Sequence, residues 1–211
     1  MHTEILSDKQ RELLSFVKQF KRSFYLVGGT AIALHIGHRR SIDYDLFTFS
    51  QLNKSKIRQK IMQTSYKKNI IFEDYDQIHF NLNDVKITFF NYPYQVEHTQ
   101  KFDDIITMPS LLSLAAMKAF ALGRRAKWKD YVDLYFIIKN FHTITEIVVE
   151  ADKIYGNLFS EKLFRGQLAF HKDIDYSEEI EYIIPNPPTE EDVKEELIRI
   201  ATEIFTNPSE S

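Results

Sequence analysis

Phe24-Tyr25-Leu26-Val27-Gly28-Gly29-Thr30-Ala31 is an apolar run that stops at two glycines. Phe24 to Val27 suit a buried strand, and the glycine pair suits a sharp turn into a helix beginning near Thr30. Such a turn binds anions. Its glycines let the backbone approach a phosphate closely, the free amides of the helix start point outward, and the Thr30 hydroxyl adds a donor. Further on, Asp43-Tyr44-Asp45 opens a second strand, Tyr44 to Phe49. The strand period of two puts both carboxylates on one face, a pair of hard oxygen ligands suited to Mg²⁺. Alone, a Gly-Gly pair is an ordinary turn, and an Asp-x-Asp pair is a solvated strand edge or a helix cap. Together they read as nucleotidyl transfer. No Gly-Lys-Ser/Thr follows, so this is not a Walker A loop, and without a third glycine it is not a dinucleotide fingerprint.

The chain resembles the AbiEii/AbiGii toxin-like nucleotidyltransferases, a branch of the polymerase-beta-like superfamily. The residues that carry the resemblance are Gly28-Gly29-Thr30-Ala31, Gly37-His38-Arg39, and Ser41-Ile42-Asp43-Tyr44-Asp45-Leu46-Phe47. A later block adds Lys118, Arg124, Arg125 and Lys129-Asp130-Tyr131-Val132-Asp133-Leu134. The resemblance implies that Gly28, Gly29 and Thr30 hold the β and γ phosphates, that Asp43 and Asp45 are the catalytic metal ligands, and that Lys118 contacts the triphosphate. It also matches Asp130 and Asp133 to a family Asp-x-x-Asp. A separately encoded antitoxin and a transfer-RNA 3′ end as acceptor are further implications. The superfamily places a third carboxylate on a neighbouring strand, where this chain has Thr88 within Val85 to Phe90. A neutral threonine oxygen is a poor substitute. The alternative is therefore a catalytically silent nucleotide- or partner-binding protein on the same scaffold, and a protein acceptor is a third reading.

Composition allows one domain with a helical appendage: 211 residues, 44% of them hydrophobic. No cysteine is present, which excludes a disulfide framework and cysteine-based zinc sites. His35 and His38 are read as surface or phosphate-facing rather than metal-binding. No signal peptide or apolar run of membrane length is seen, so the expectation is a cytoplasmic protein without membrane contact. The net charge of −3 hides an asymmetry. Residues 1–140 carry 21 Lys plus Arg against 14 acids, a net of +7, while residues 141–211 carry 6 against 16, a net of −10. A basic catalytic part suits a polyanion such as a nucleoside triphosphate or RNA, and the acidic remainder reads as a solvated helical surface.

The pattern predicts an α+β fold: a small mixed β-sheet nucleotidyltransferase core with flanking helices, then a helical C-terminal part. The two parts are expected at 1–100 and 101–211, with the boundary between residues 92 and 109. Asp8 is read as the cap of a helix carrying Leu13, Leu14, Phe16, Val17 and Phe20, and Asn53 or Ser55 as the start of a basic helix. Asn69 to Phe72 reads as a strand, and Ile78–Leu82 and Val85–Phe90 as a hairpin about Asn83-Asp84. Helices are expected at Ser110–Leu122, Lys127–Asn140, Ile144–Ile154 and Glu190–Phe205, the last capped by Thr189.

Around the carboxylates, His38 and Arg39 are candidate phosphate contacts, while Arg40 is read as solvent-exposed. Lys118 is the sole charge between Ser110 and Gly123, on a face with Leu111, Leu114, Ala115 and Leu122. It must snorkel or meet an anion. If that anion is a triphosphate, the lysine lacks a partner in the empty protein and its loss should not destabilise. The other reading is a structural ion pair with Asp130 or Asp133. For these, pairing with Arg124, Arg125 or Lys129 is the alternative. Trp128, Tyr131 and Tyr135 are placed either to stack a base or in the core.

Overall fold

The computed structural model describes residues 1–203. Ser7, rather than Asp8, caps α1 (Asp8–Glu12): its hydroxyl accepts from the Gln10 amide, and Gln10 reaches back to complete a capping box. The apolar stripe does not run on as one helix. The Leu13 amide turns to the Gln10 carbonyl at 3.0 Å, a tighter bond that separates α1 from α2 (Leu14–Lys18). β1 (Tyr25–Val27) then passes straight into α3 (Gly28–Ile36), because Gly28 turns the chain with a φ of 73°. The helix thus starts two residues ahead of Thr30. β2 (Tyr44–Thr48) leads to α4 (Lys54–Met62), where the Asn53 side chain accepts from the Lys56 amide.

β3 (Lys68–Asp74), β4 (Gln77–Leu82) and β5 (Val85–Asn91) complete a five-stranded mixed sheet in the order β1-β2-β5-β4-β3. Only the β2–β5 pairing is parallel. Asn83 and Asp84 both take positive φ, 55° and 62°, as a two-residue hairpin turn requires. That turn sets the register: Leu82 faces Val85, and therefore His79 faces Thr88. Two adjacent cross-strand rows define the sheet's faces. Leu26, Leu46, Phe89 and Ile78 line up in one row and are fully buried, forming the core with Phe20 and Phe24. The next row along, with side chains on the opposite face, is Val27, Asp45, Thr88 and His79.

A short hairpin absent from the sequence reading, β6 (Gln100–Phe102) with β7 (Ile106–Met108), follows the sheet. The first compact unit comprises residues 1–114 together with Ile180–Pro185. That returning segment forms a bridge between Tyr182 and Arg39 and accepts the Arg40 amide on the Glu181 carbonyl at 2.8 Å.

Among the described residues, the second unit holds 115–179 and 186–203. α5 (Leu111–Leu122) carries the chain into it, and α6 (Trp128–Asn140), α7 (Ile144–Tyr155), α8 (Glu161–Ala169) and α9 (Glu190–Thr202) build its helical core. Thr143 with Glu146 and Thr189 with Asp192 form capping boxes, so both starts follow from side-chain chemistry. α9 ends at Thr202; Phe205, the expected end, lies outside the described residues. α8 escaped the sequence reading because Gly166 sits inside it, a residue that weakens a helix pattern.

Candidate active site

The two glycines serve different approaches. A Cβ on Gly28 would collide with the Asp45 carboxylate, and one on Gly29 would stand 2.7 Å from Arg39 Nη2 and 2.9 Å from Ser41 Oγ. A carboxylate is thus packed against the first glycine and a guanidinium against the second. No side chain caps the start of α3, which leaves its first amides to water or to an anion. Thr30 is 1% exposed, and its hydroxyl donates to the Asp43 carbonyl and to Ser41 Oγ, the latter at 3.0 Å. That hydroxyl is committed internally, where it braces the carboxylate-bearing segment against the turn, instead of facing outward as a phosphate donor. Gly28→Ala should cost about 1–2 kcal/mol from the left-handed backbone alone. It should also displace Asp45. Thermal unfolding and Mg²⁺-dependent nucleotide titration of the variant check both effects.

His38 is 2% exposed, an interior imidazole rather than a surface one. His35 Nε2 donates to the Pro109 carbonyl, 3.1 Å away, and burial keeps the ring below the usual histidine range. Arg39 is likewise buried, with Nη1 donating to the Arg40 carbonyl at 2.9 Å. Arg40 is tied by Nε to Glu181 at 2.7 Å. The returning segment Ile180–Pro185 therefore positions this basic stretch, and no local sequence signal announces it.

Asp45 lies in β2 with Thr88 of parallel β5 directly beside it, and Asp43 immediately precedes the strand. His79 lies beyond Thr88 in the same row. Its Nε2 bonds the Gln77 side-chain oxygen at 2.9 Å, and its ring meets Phe72 edge-on. Burial and the neighbouring Lys86 hold the imidazole below the usual range, against an opposing pull from the Asp45 carboxylate. Among the described residues, no cluster of three or more His, Cys, Asp or Glu side chains is disposed to hold a metal. Two carboxylates beside the uncapped start of α3 still fit Mg²⁺, an ion that keeps much of its water and needs few protein ligands.

In the helical unit, Lys118 on α5 is 5% exposed and pairs with both Asp130 and Asp133 of α6, each 0% exposed; the Asp133 contact is 2.9 Å. Arg125 Nε reaches the other Asp130 oxygen at 3.1 Å. Burial pushes the Asp130 carboxyl up, but Lys118 and Arg125 outweigh it and hold the group below the usual carboxylate value. The expectation of a partnerless lysine in the empty protein is therefore corrected: the spacing of Asp130 and Asp133 on one helical face delivers two anions to one ammonium. Of the other candidate partners, Arg124 lies over the Phe120 ring at 3.7 Å, and Lys129 joins Lys127 on Glu178. Burial raises Glu178, yet the two lysines bring it to about 2. Trp128, Tyr131 and Tyr135 are buried in the core of this unit, which removes them as a base-stacking surface.

A protein of Aquifex aeolicus (strain VF5) described as uncharacterized is 31% identical, the match covering 83% of this chain and 92% of that one. Among solved structures, MenT4, a nucleotidyltransferase toxin from Mycobacterium tuberculosis H37Rv, shares the fold with a TM-score of 0.59 at 14% identity over 93% of this chain and 82% of that one. JHP933 from Helicobacter pylori does so with a TM-score of 0.54 at 15% identity, over 93% and 91%. No helix among the described residues is long and apolar enough to cross a membrane. The family model described as nucleotidyl transferase AbiEii toxin, type IV TA system, matches residues 13–208, and the chain belongs to that family.

Proposed function

We propose that this chain is a Mg²⁺-dependent nucleotidyltransferase that moves a nucleoside monophosphate from a nucleoside triphosphate to RNA, with a transfer-RNA 3′ end as the favoured acceptor. The carrying observation is the packing of the Asp45 carboxylate against Gly28 and of the Arg39 guanidinium against Gly29. Metal-ligand oxygen and cation meet at one anion-accepting turn. In this reading the α3 amides and Arg39 hold the β and γ phosphates, and Asp43 and Asp45 hold the metal. Bound there, Mg²⁺ would supply Lewis-acid stabilisation of the transferring phosphoryl group. By family resemblance, Lys118 and Asp130 are proposed to take part in the reaction. The basic balance of residues 1–140 favours a polyanionic acceptor. A separately encoded antitoxin is the proposed protein partner, and the cytoplasm the proposed compartment.

Thr88 beside Asp45 supports a second reading, in which nucleotide is bound without transfer. Incubating the protein with each labelled triphosphate, Mg²⁺ and total RNA separates the readings. Labelled RNA is expected. Label on protein would move the acceptor to a polypeptide, and label on neither, with triphosphate still bound, would favour the silent reading.

A further inference from the structure

Asp45, Thr88 and His79 occupy adjacent positions across three hydrogen-bonded strands, with their side chains on the face opposite the core. Strand spacing sets the Asp45 and His79 backbones about 10 Å apart, with the short Thr88 side chain between them. Thr88, a small polar residue, thus separates a carboxylate from an imidazole on one face of the sheet. The Gln77 side-chain oxygen accepts from His79 Nε2 at 2.9 Å, which puts the proton there and leaves Nδ1 with its lone pair. Phe72, edge-on to the ring, fixes its plane further. The arrangement is that of a base and an orienting group. Lys86, on the same face of β5 as Thr88, also disfavours an imidazolium.

We propose that His79 is the catalytic base of the transfer, receiving the proton of the acceptor hydroxyl over Thr88. The inference rests on the nucleotidyltransferase reading of the Asp45 turn. As the acceptor oxygen bonds to the α-phosphorus, its proton passes to His79 Nδ1. The bond from that phosphorus to the bridging oxygen breaks, and pyrophosphate leaves with the electron pair. His79 then returns the proton to solvent. Gln77 is a positioning residue in this scheme, acting through the ring it orients.

The test compares the full chain with His79→Ala under saturating labelled triphosphate, Mg²⁺ and RNA, with and without added imidazole. Transfer by the variant should fall about 10²–10⁴-fold, the range for losing a positioned base. Triphosphate affinity and melting temperature should stay near the parent's, because His79 is part-exposed and touches no phosphate in this scheme. Free imidazole should restore part of the lost rate, a response that a merely structural histidine would not give. Gln77→Ala should lower the rate less and be unaffected by imidazole. A parent that transfers nucleotide alongside an equally active His79→Ala overturns the base assignment alone, as does a slow variant that imidazole cannot rescue. A parent that transfers nothing overturns it together with the reading of the site.

Discussion

Lys118→Met should lower stability by about 3–5 kcal/mol, the cost of breaking a buried pair and stranding its partner charge. Methionine keeps the stem and removes the ammonium that pairs with Asp130 and Asp133, both 0% exposed, while the half-exposed Arg125 still reaches Asp130. The pH dependence should change sign as well. In the parent, Asp130 titrates below its ordinary value of 3.8. Its contribution to stability is complete above pH 3.8 and is lost as pH falls toward the lowered folded value. In Lys118→Met, desolvation should dominate and raise the folded Asp130 carboxyl. The variant should then gain stability on acidification from neutral pH into the carboxylate range, where the parent gains none. Adding Asp130→Asn and Asp133→Asn to Lys118→Met should recover much of the loss, because no buried charge is left unmatched. Melting curves of the three proteins across pH decide the matter. A Lys118→Met protein as stable as its parent would show that the ammonium is not held by the two aspartates in solution.

The same cluster shows how far the sequence could be read. Lys118 stood out as an isolated charge on an apolar face, and Asp130 and Asp133 as a pair three residues apart. Which met which depends on how α5 packs against α6, and local periodicity holds no record of that. Thr30 is similar: composition marks its hydroxyl as a donor, while tertiary structure decides that Ser41 and Asp43 receive it. The glycine turn and the strand bearing Asp45 were legible because both depend on backbone rules that act over a few residues. His79 was accessible too. A two-residue turn at Asn83-Asp84 forces His79 opposite Thr88, but only the parallel β2–β5 pairing, which spans more than forty residues of chain, brings Asp45 alongside. The returning segment at Ile180–Pro185 lies at the other extreme, a short piece whose structure is set by a distant partner, Arg39.

Asp43→Asn with Asp45→Asn should abolish Mg²⁺-dependent triphosphate binding and nucleotide transfer while leaving the fold intact. Asparagine matches aspartate in size, so the Asp45 position still fits the space that Gly28 opens, and neither residue contributes apolar surface to the core. What disappears is charge: a cation loses two anionic ligands, and neutral amide oxygens do not replace them. The loss of metal affinity should therefore exceed the ~10–100-fold typical of removing a group that only orients a ligand. Removing two like charges from neighbouring positions should leave the melting temperature without Mg²⁺ unchanged or slightly raised. Asp45→Asn alone should account for most of the binding effect, since its carboxylate is the one packed against the glycine turn. Calorimetric titration with a nonhydrolysable triphosphate, with and without Mg²⁺, reads this directly. Binding that keeps its full Mg²⁺ dependence in the double variant would place the metal ligands elsewhere, and would leave the Gly28–Asp45 contact as no more than a tight turn.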